Sequence, residues 1–165
     1  MNVRRVALVY DDTVRWDTTG TYCRRALEKL VAVEHFLPQD LPKVPRAGFD
    51  LYLNVDDGLR YRFPGDLRPS AFWAIDTHLD FEWYRAKAAD FDLVLAAQRD
   101  GAQRLRSEGI PSARWLPLAC DPEVHRKHDV PKQYDVCFVG NLAPTTRPTD
   151  AAASSSATSG CWSWT

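Results

Sequence analysis

Six short runs rich in Val, Leu, Phe and Tyr recur at 3–10, 50–55, 71–75, 91–97, 113–118 and 134–140, with helical patterns between several of them. This alternation constrains the fold more than any other feature. Several of the runs are continuously apolar, as strands buried on both faces are, and parallel neighbours need crossover connections long enough to hold a helix. The stretch 21–31 places Cys23, Ala26, Leu27, Leu30 and Val31 on one helical face, and 99–108 brings Ala102 and Leu105 together. Gly109 then stops that helix, with Pro111 just beyond. A further helix is expected at 81–89 and a short strand at 33–36. The prediction is a Rossmann-like α/β fold: a parallel sheet with right-handed crossovers and helices on both faces. Pro38, Pro42 and Pro45 predict that 37–48 is an extended surface connection without regular structure.

The 165 residues, 45% of them hydrophobic, suffice for one domain with a proper core but are few for two. The 21 basic and 22 acidic residues nearly balance and form no like-charge run, so nucleic acid and anionic membrane are not expected as partners. Arg4 and Arg5 are followed by only five uncharged residues, too few for a signal-peptide core, and no apolar run approaches the roughly 20 residues of a membrane span. A soluble cytoplasmic protein is expected. Cys23, Cys120, Cys137 and Cys161 form no CxxC pair, which argues against a disulfide framework or ribbon-type zinc site. Cys23 and Cys137 sit in apolar patterns and read as small core residues.

From Ala143 onward the character changes. Residues 143–165 are dominated by Ala, Ser and Thr without periodicity, and read as a disordered low-complexity tail. The tail follows YDVCFVGNL, a strand ending in Gly-Asn that an α/β protein normally continues with a loop and a helix. The expectation is that the native reading frame is lost near Leu142.

In open parallel sheets, ligands bind beyond the carboxyl ends of the strands, where loops and helix amino termini converge. Asp11, Asp12, Thr19 and Gly20 follow the first strand; Asp56 and Asp57 the third; Asp76, Thr77 and His78 the fourth; Gln98 and Asp100 the fifth. Aspartate at such places is commonly only a cap or turn residue, and Asp100 reads as one. Asp76 and His78 stand apart, because a carboxylate and an imidazole two residues apart offer a proton acceptor near neutral pH. The turn after the first strand contains neither GxGxxG nor GxxxxGK, which counts against a dinucleotide or ATP there. Cys120, Asp121, His125 and His128 have spacing worth testing for zinc, but Pro122, Arg126 and Lys127 make the stretch look like a solvated linker, so no metal is expected. Phe72, Trp73, Phe81, Trp83 and Tyr84 could make an aromatic platform, with Phe72 in the core and Trp83 or Tyr84 the better candidates for exposure.

The segments AFWAIDTHLDFEWY, FDLVLAAQRDGAQRLRSEGI and ARWLPLACDPEVHRKHDVPKQYDVCFVGNL together resemble the CgeB-like (spore-maturation-protein) glycosyltransferases of the GT-B type, most strongly from residue 71 onward. The resemblance implies a Rossmann-like amino-terminal, acceptor-side domain at 1–118, an interdomain hinge at 119–133, and at 134–142 the first strand of a carboxyl-terminal, donor-side domain. It implies a nucleotide-sugar co-substrate, no further cofactor, and a small-molecule or glycan acceptor. By position it makes Asp76 and His78 catalytic candidates; Asp11, Asp12, Thr19, Gly20, Asp56, Asp57 and Thr77, from their places beyond the strand ends, and Trp83, from the aromatic group, are the candidate substrate contacts. The groups gripping the donor diphosphate would lie beyond Leu142, so this chain alone is expected to have little or no transferase activity. From another class, a non-catalytic Rossmann-like module binding a small polar ligand uses the same acidic edge. A receiver-like reading of Asp11, Asp12 and Asp56 is weakened by the absence of a lysine after the fifth strand.

Overall fold

A computed structural model describes residues 2–127, 129–140 and 158–162. They fall into two compact units, one ending at His125 and one beginning at Arg126.

The first unit is built on six parallel strands: β1 (Arg5–Val9), β2 (Ala32–Phe36), β3 (Leu51–Val55), β4 (Ser70–Ala74), β5 (Leu93–Ala96) and β6 (Ala113–Trp115). Their order across the sheet is β2-β1-β3-β4-β5-β6. The helices are α1 (Thr19–Leu27), α2 (Phe81–Ala88) and α3 (Arg99–Ser107). The Rossmann-like α/β prediction holds.

Alternation along the strands divides the core in two. Val6, Leu8, Tyr10, Leu53 and Val55 face α1, where Cys23 and Leu27 pack against them. Ala7, Val9, Tyr52, Phe72, Ala74, Val94 and Ala96 face the other way, onto Tyr84 and Ala88 of α2 and Ala102 and Leu105 of α3. Neighbouring strands keep one side-chain phase because the ladders run in register, Val6 beside Leu51 and Leu53 beside Ala71.

Two local expectations are corrected. The first helix ends at Leu27, and Leu30 lies in the following turn, 80% exposed, because its amide bonds the Leu27 carbonyl and the chain turns into β2. The proline-rich connection is not irregular: Pro38–Lys43 forms a 3₁₀ helix started by Pro38, which buries Leu41, while the adjoining Val44 is buried as well. Proline fits the first turn of such a helix, where its missing N–H would have no partner anyway.

In the second unit, β7 (Val136–Gly140) pairs antiparallel with β8 (Thr158–Trp162). The strand read at 134–140 is therefore present. Positions 158–162 of the tail, read as disordered, form a strand, because a partner supplies the ladder that their composition does not predict. Cys137 is exposed rather than a core residue. His128, 141–157 and 163–165 lie outside the described residues, and with them the junction near Leu142. Among the described residues no helix is long and apolar enough to cross a membrane.

Candidate functional site

From β1 the chain crosses by α1 to β2 on one side, and the next strand, β3, returns to β1's other side. The loops leaving β1 and β3 therefore diverge and leave a crevice between them, the place where open α/β sheets receive ligands. Here it is a cavity of about 420 Å³, lined by Asp11, Arg15, Thr18, Thr19, Asp56, Asp57 and Asp76, with Val14, Gly58, Leu59 and Ile75. That volume lies in the range of small-molecule sites, about 300–1,000 Å³.

Each wall residue is set by short-range chemistry. Asp11 ends β1 and folds back on its own loop, its Oδ1 accepting from the Thr13 amide and hydroxyl, both at 2.8 Å. Burial pushes its carboxyl up, but those hydrogen bonds outweigh it and leave Asp11 below the usual carboxylate range. Thr18 caps α1, its hydroxyl accepting from the Thr21 amide at 3.2 Å. Asp57 Oδ1 accepts from the Leu59 amide at 3.0 Å across a turn made possible by Gly58, whose φ of +78° suits glycine. Its Oδ2 accepts from the Asp11 amide at 3.0 Å and the Tyr61 hydroxyl at 3.1 Å, joining the β1 and β3 loops.

Asp56 is the anchor of the floor. It is buried; Oδ2 accepts from the amides of Ile75 and Asp76 at 3.0 and 3.3 Å and from the Tyr84 hydroxyl, while Oδ1 accepts from the Gly58 amide at 3.2 Å. This carboxylate has little capacity left for a ligand, and its work is to hold the ends of β3 and β4 together. Burial, then the Asp56 charge, pushes the Tyr84 phenol well up, so it stays a donor.

Asp76 differs. It is half-buried in the cavity wall, and its carboxyl is raised, first by burial and then by Asp56 beside it, with His78 pulling the other way. A carboxylate of raised proton affinity facing a cavity has the chemistry of a general base.

The structure gathers Asp11, Thr19, Asp56, Asp57 and Asp76 at one crevice and sets the other candidates apart. His78 is exposed and outside the lining, because the chain turns away after Thr77. Asp12 is turned towards His35, its carboxylate 3.8 Å from Nδ1, and His35 stacks on Tyr10 with centroids 4.1 Å apart. Thr77 is buried with its hydroxyl on Gln98 Oε1 at 2.9 Å, fixing the start of α3. Gly20 is buried under the Tyr10 ring, where it lets α1 approach β1. Trp83 is half-buried edge-on to Tyr84, which is itself buried, so neither forms an exposed platform. Arg15 and Tyr61 were not legible as site residues; the one signal is that Tyr61 follows the Asp-Asp-Gly turn at a distance that lets it bend back on Asp57.

A larger concavity of about 550 Å³ lies between α1 and the 118–122 segment, lined by Tyr22, Cys23, Ala26, Trp73 and Leu118 among others. Burial pushes the Cys23 thiol up to about 11, so it is a poor nucleophile. That concavity also carries Arg25, Lys29, Asp121 and His125, whereas the smaller cavity is lined mainly by carboxylates and hydroxyls. Along the 120–128 stretch, Asp121 is ion-paired with Arg25 at 3.1 Å and His125 Nδ1 lies on the Asp121 backbone. Among the described residues no group of three or more His, Cys, Asp and Glu side chains is placed to hold a metal ion.

In comparisons with known proteins, no family model, no curated protein and no solved structure matches this chain.

Proposed function

We propose that the α/β unit is the acceptor-side part of a CgeB-like glycosyltransferase of the GT-B type, with the β1/β3 crevice receiving a hydroxyl-bearing acceptor. One observation carries the reading: the crevice presents the carboxylates of Asp11, Asp57 and Asp76 and the hydroxyls of Thr18 and Thr19, against a single guanidinium, Arg15. Carboxylates only accept hydrogen bonds, so a ligand must donate, which suits a polyol or sugar. The same surplus of negative charge disfavours a diphosphate there, consistent with the absence of a phosphate loop. In the transfer, the acceptor oxygen bonds to the donor's anomeric carbon, the bond from that carbon to the diphosphate oxygen breaks, and Asp76 takes the acceptor's proton.

Equilibrium dialysis with labelled neutral saccharides, nucleotide sugars and nucleoside diphosphates tests this reading. Saccharides are expected to be retained and nucleotides not. Asp76→Asn is expected to weaken saccharide binding by about 10-fold, the worth of a charge-assisted hydrogen bond, with little change in stability. Asp76 accepts ligand hydroxyls as the carboxylate, so affinity should hold at neutral pH and fall as acid protonates it. Its raised proton affinity puts that fall above the ordinary carboxylate range. Retention of nucleotides without saccharides overturns the acceptor-side assignment. Saccharide binding unchanged by Asp76→Asn leaves a binding module in which Asp76 has no part.

A further inference from the structure

Behind the crevice floor, on the α2 side of the sheet, a cationic side chain is sealed from water. Lys87 is 5% exposed, and its Nζ has no hydrogen-bond partner among the described residues. Three rings box it instead: Tyr61, Phe72 and Trp83, with centroids 4.1, 4.6 and 5.0 Å from Nζ. Ring faces attract an ammonium but do not replace the water it has lost, so its burial needs a further compensating charge.

That charge is at the crevice. The Tyr61 hydroxyl donates to Asp57 Oδ2 and accepts from Asn54 Nδ2 at 2.7 Å, so the ring that touches the ammonium also touches the carboxylate. From the end of β3, the charges of Asp57 and Asp56 act on Lys87, and Tyr61 comes from the loop that follows them. Phe72 on β4 and Trp83 on α2 contribute rings alone, and the Arg60 guanidinium also lies over Trp83, at 5.7 Å.

We infer that Lys87 is a positioning residue of the crevice, the counter-charge that, across Tyr61, keeps Asp57 in the carboxylate form that accepts ligand hydroxyls. The inference rests on the crevice being a ligand site and not on sugar transfer. Burial raises the Asp57 carboxyl, and Lys87 is among the groups that oppose this. Burial in turn lowers the Lys87 ammonium to about 8, while Asp57 and Asp56 hold it up. Each charge thus opposes the shift that burial imposes on the other.

The test is a ¹³C carboxyl NMR titration of Asp57 in the wild type, Lys87→Met and Lys87→Arg. Lys87→Met, which keeps the length and apolar bulk, should raise the Asp57 midpoint by at least about one pH unit, the size expected when an opposite charge at close range is removed. Lys87→Arg should keep it near the wild-type value. An Asp57 midpoint unchanged in folded Lys87→Met overturns the inference. Should that variant fail to fold, the wild type still decides: the Asp57 resonance must shift over the same pH interval in which the Lys87 amine loses its proton, and a flat response overturns it. Saccharide binding, measured alongside, separates the two readings. If no saccharide binds, the ligand reading fails while the Asp57 shift still reports on Lys87.

Discussion

Asp56→Ala is expected to cost about 3–5 kcal/mol of folding stability, the largest loss of any single replacement in the crevice. One carboxylate accepts from three backbone amides, those of Gly58, Ile75 and Asp76, and from the Tyr84 hydroxyl. Removing it strands donors that the fold has already taken from water, and each stranded buried donor costs about 1–3 kcal/mol. Water entering from the crevice can re-satisfy some of them, which places the total below the simple sum. Urea unfolding of the two proteins measures the difference. A loss under about 1 kcal/mol would mean that Asp56 does not tie β3 to β4.

Gly20→Ala is expected to lose about 3 kcal/mol, near the upper end of the usual cost of overpacking. A Cβ at residue 20 would stand 2.2 Å from two carbons of the Tyr10 ring. That ring is 1% exposed, in the core beneath α1 and stacked on His35, so it has nowhere to retreat. Either α1 lifts off β1 or the Tyr10 side chain leaves its place. Adding Tyr10→Leu, which empties the space occupied by the ring, should make the alanine markedly less costly than in the wild-type background. Thermal unfolding of the single and double variants checks this, and equal costs in the two backgrounds would contradict it.

Much of the sheet was legible because buried parallel strands are apolar almost end to end, as in RVALV and LVLA, and because glycine and proline punctuate the helices. The acidic edge was legible for the same reason: once strands are placed, residues at their carboxyl ends must share a rim. What could not be read is which rim residues meet. Asp11, Asp57 and Asp76 converge because β1 lies between β2 and β3, and strand order is set by crossovers that local patterns do not encode. Thr77 and Gly20 lie at the right strand and helix ends but turn inward, a choice made by contacts with Gln98 and Tyr10 on neighbouring elements. Lys87 was the least legible of all. In FEWYRAKA it looks like an ordinary solvated lysine, and only the packing of α2 on Tyr61 and Phe72 encloses it.

On the proposed reading, the β1/β3 crevice takes hydroxyl-rich, uncharged ligands. Backbone amide NMR during titration with a panel of neutral saccharides, with nucleoside diphosphates as the contrasting set, tests it most directly. The predicted result is saturable shifts from the saccharides at Asp11, Thr18, Thr19, Asp57 and Asp76, diminished in Asp76→Asn, and none there from the nucleotides. Shifts confined to the Tyr22, Trp73 and Leu118 concavity, or nucleotide shifts at the carboxylates without saccharide shifts, would contradict it.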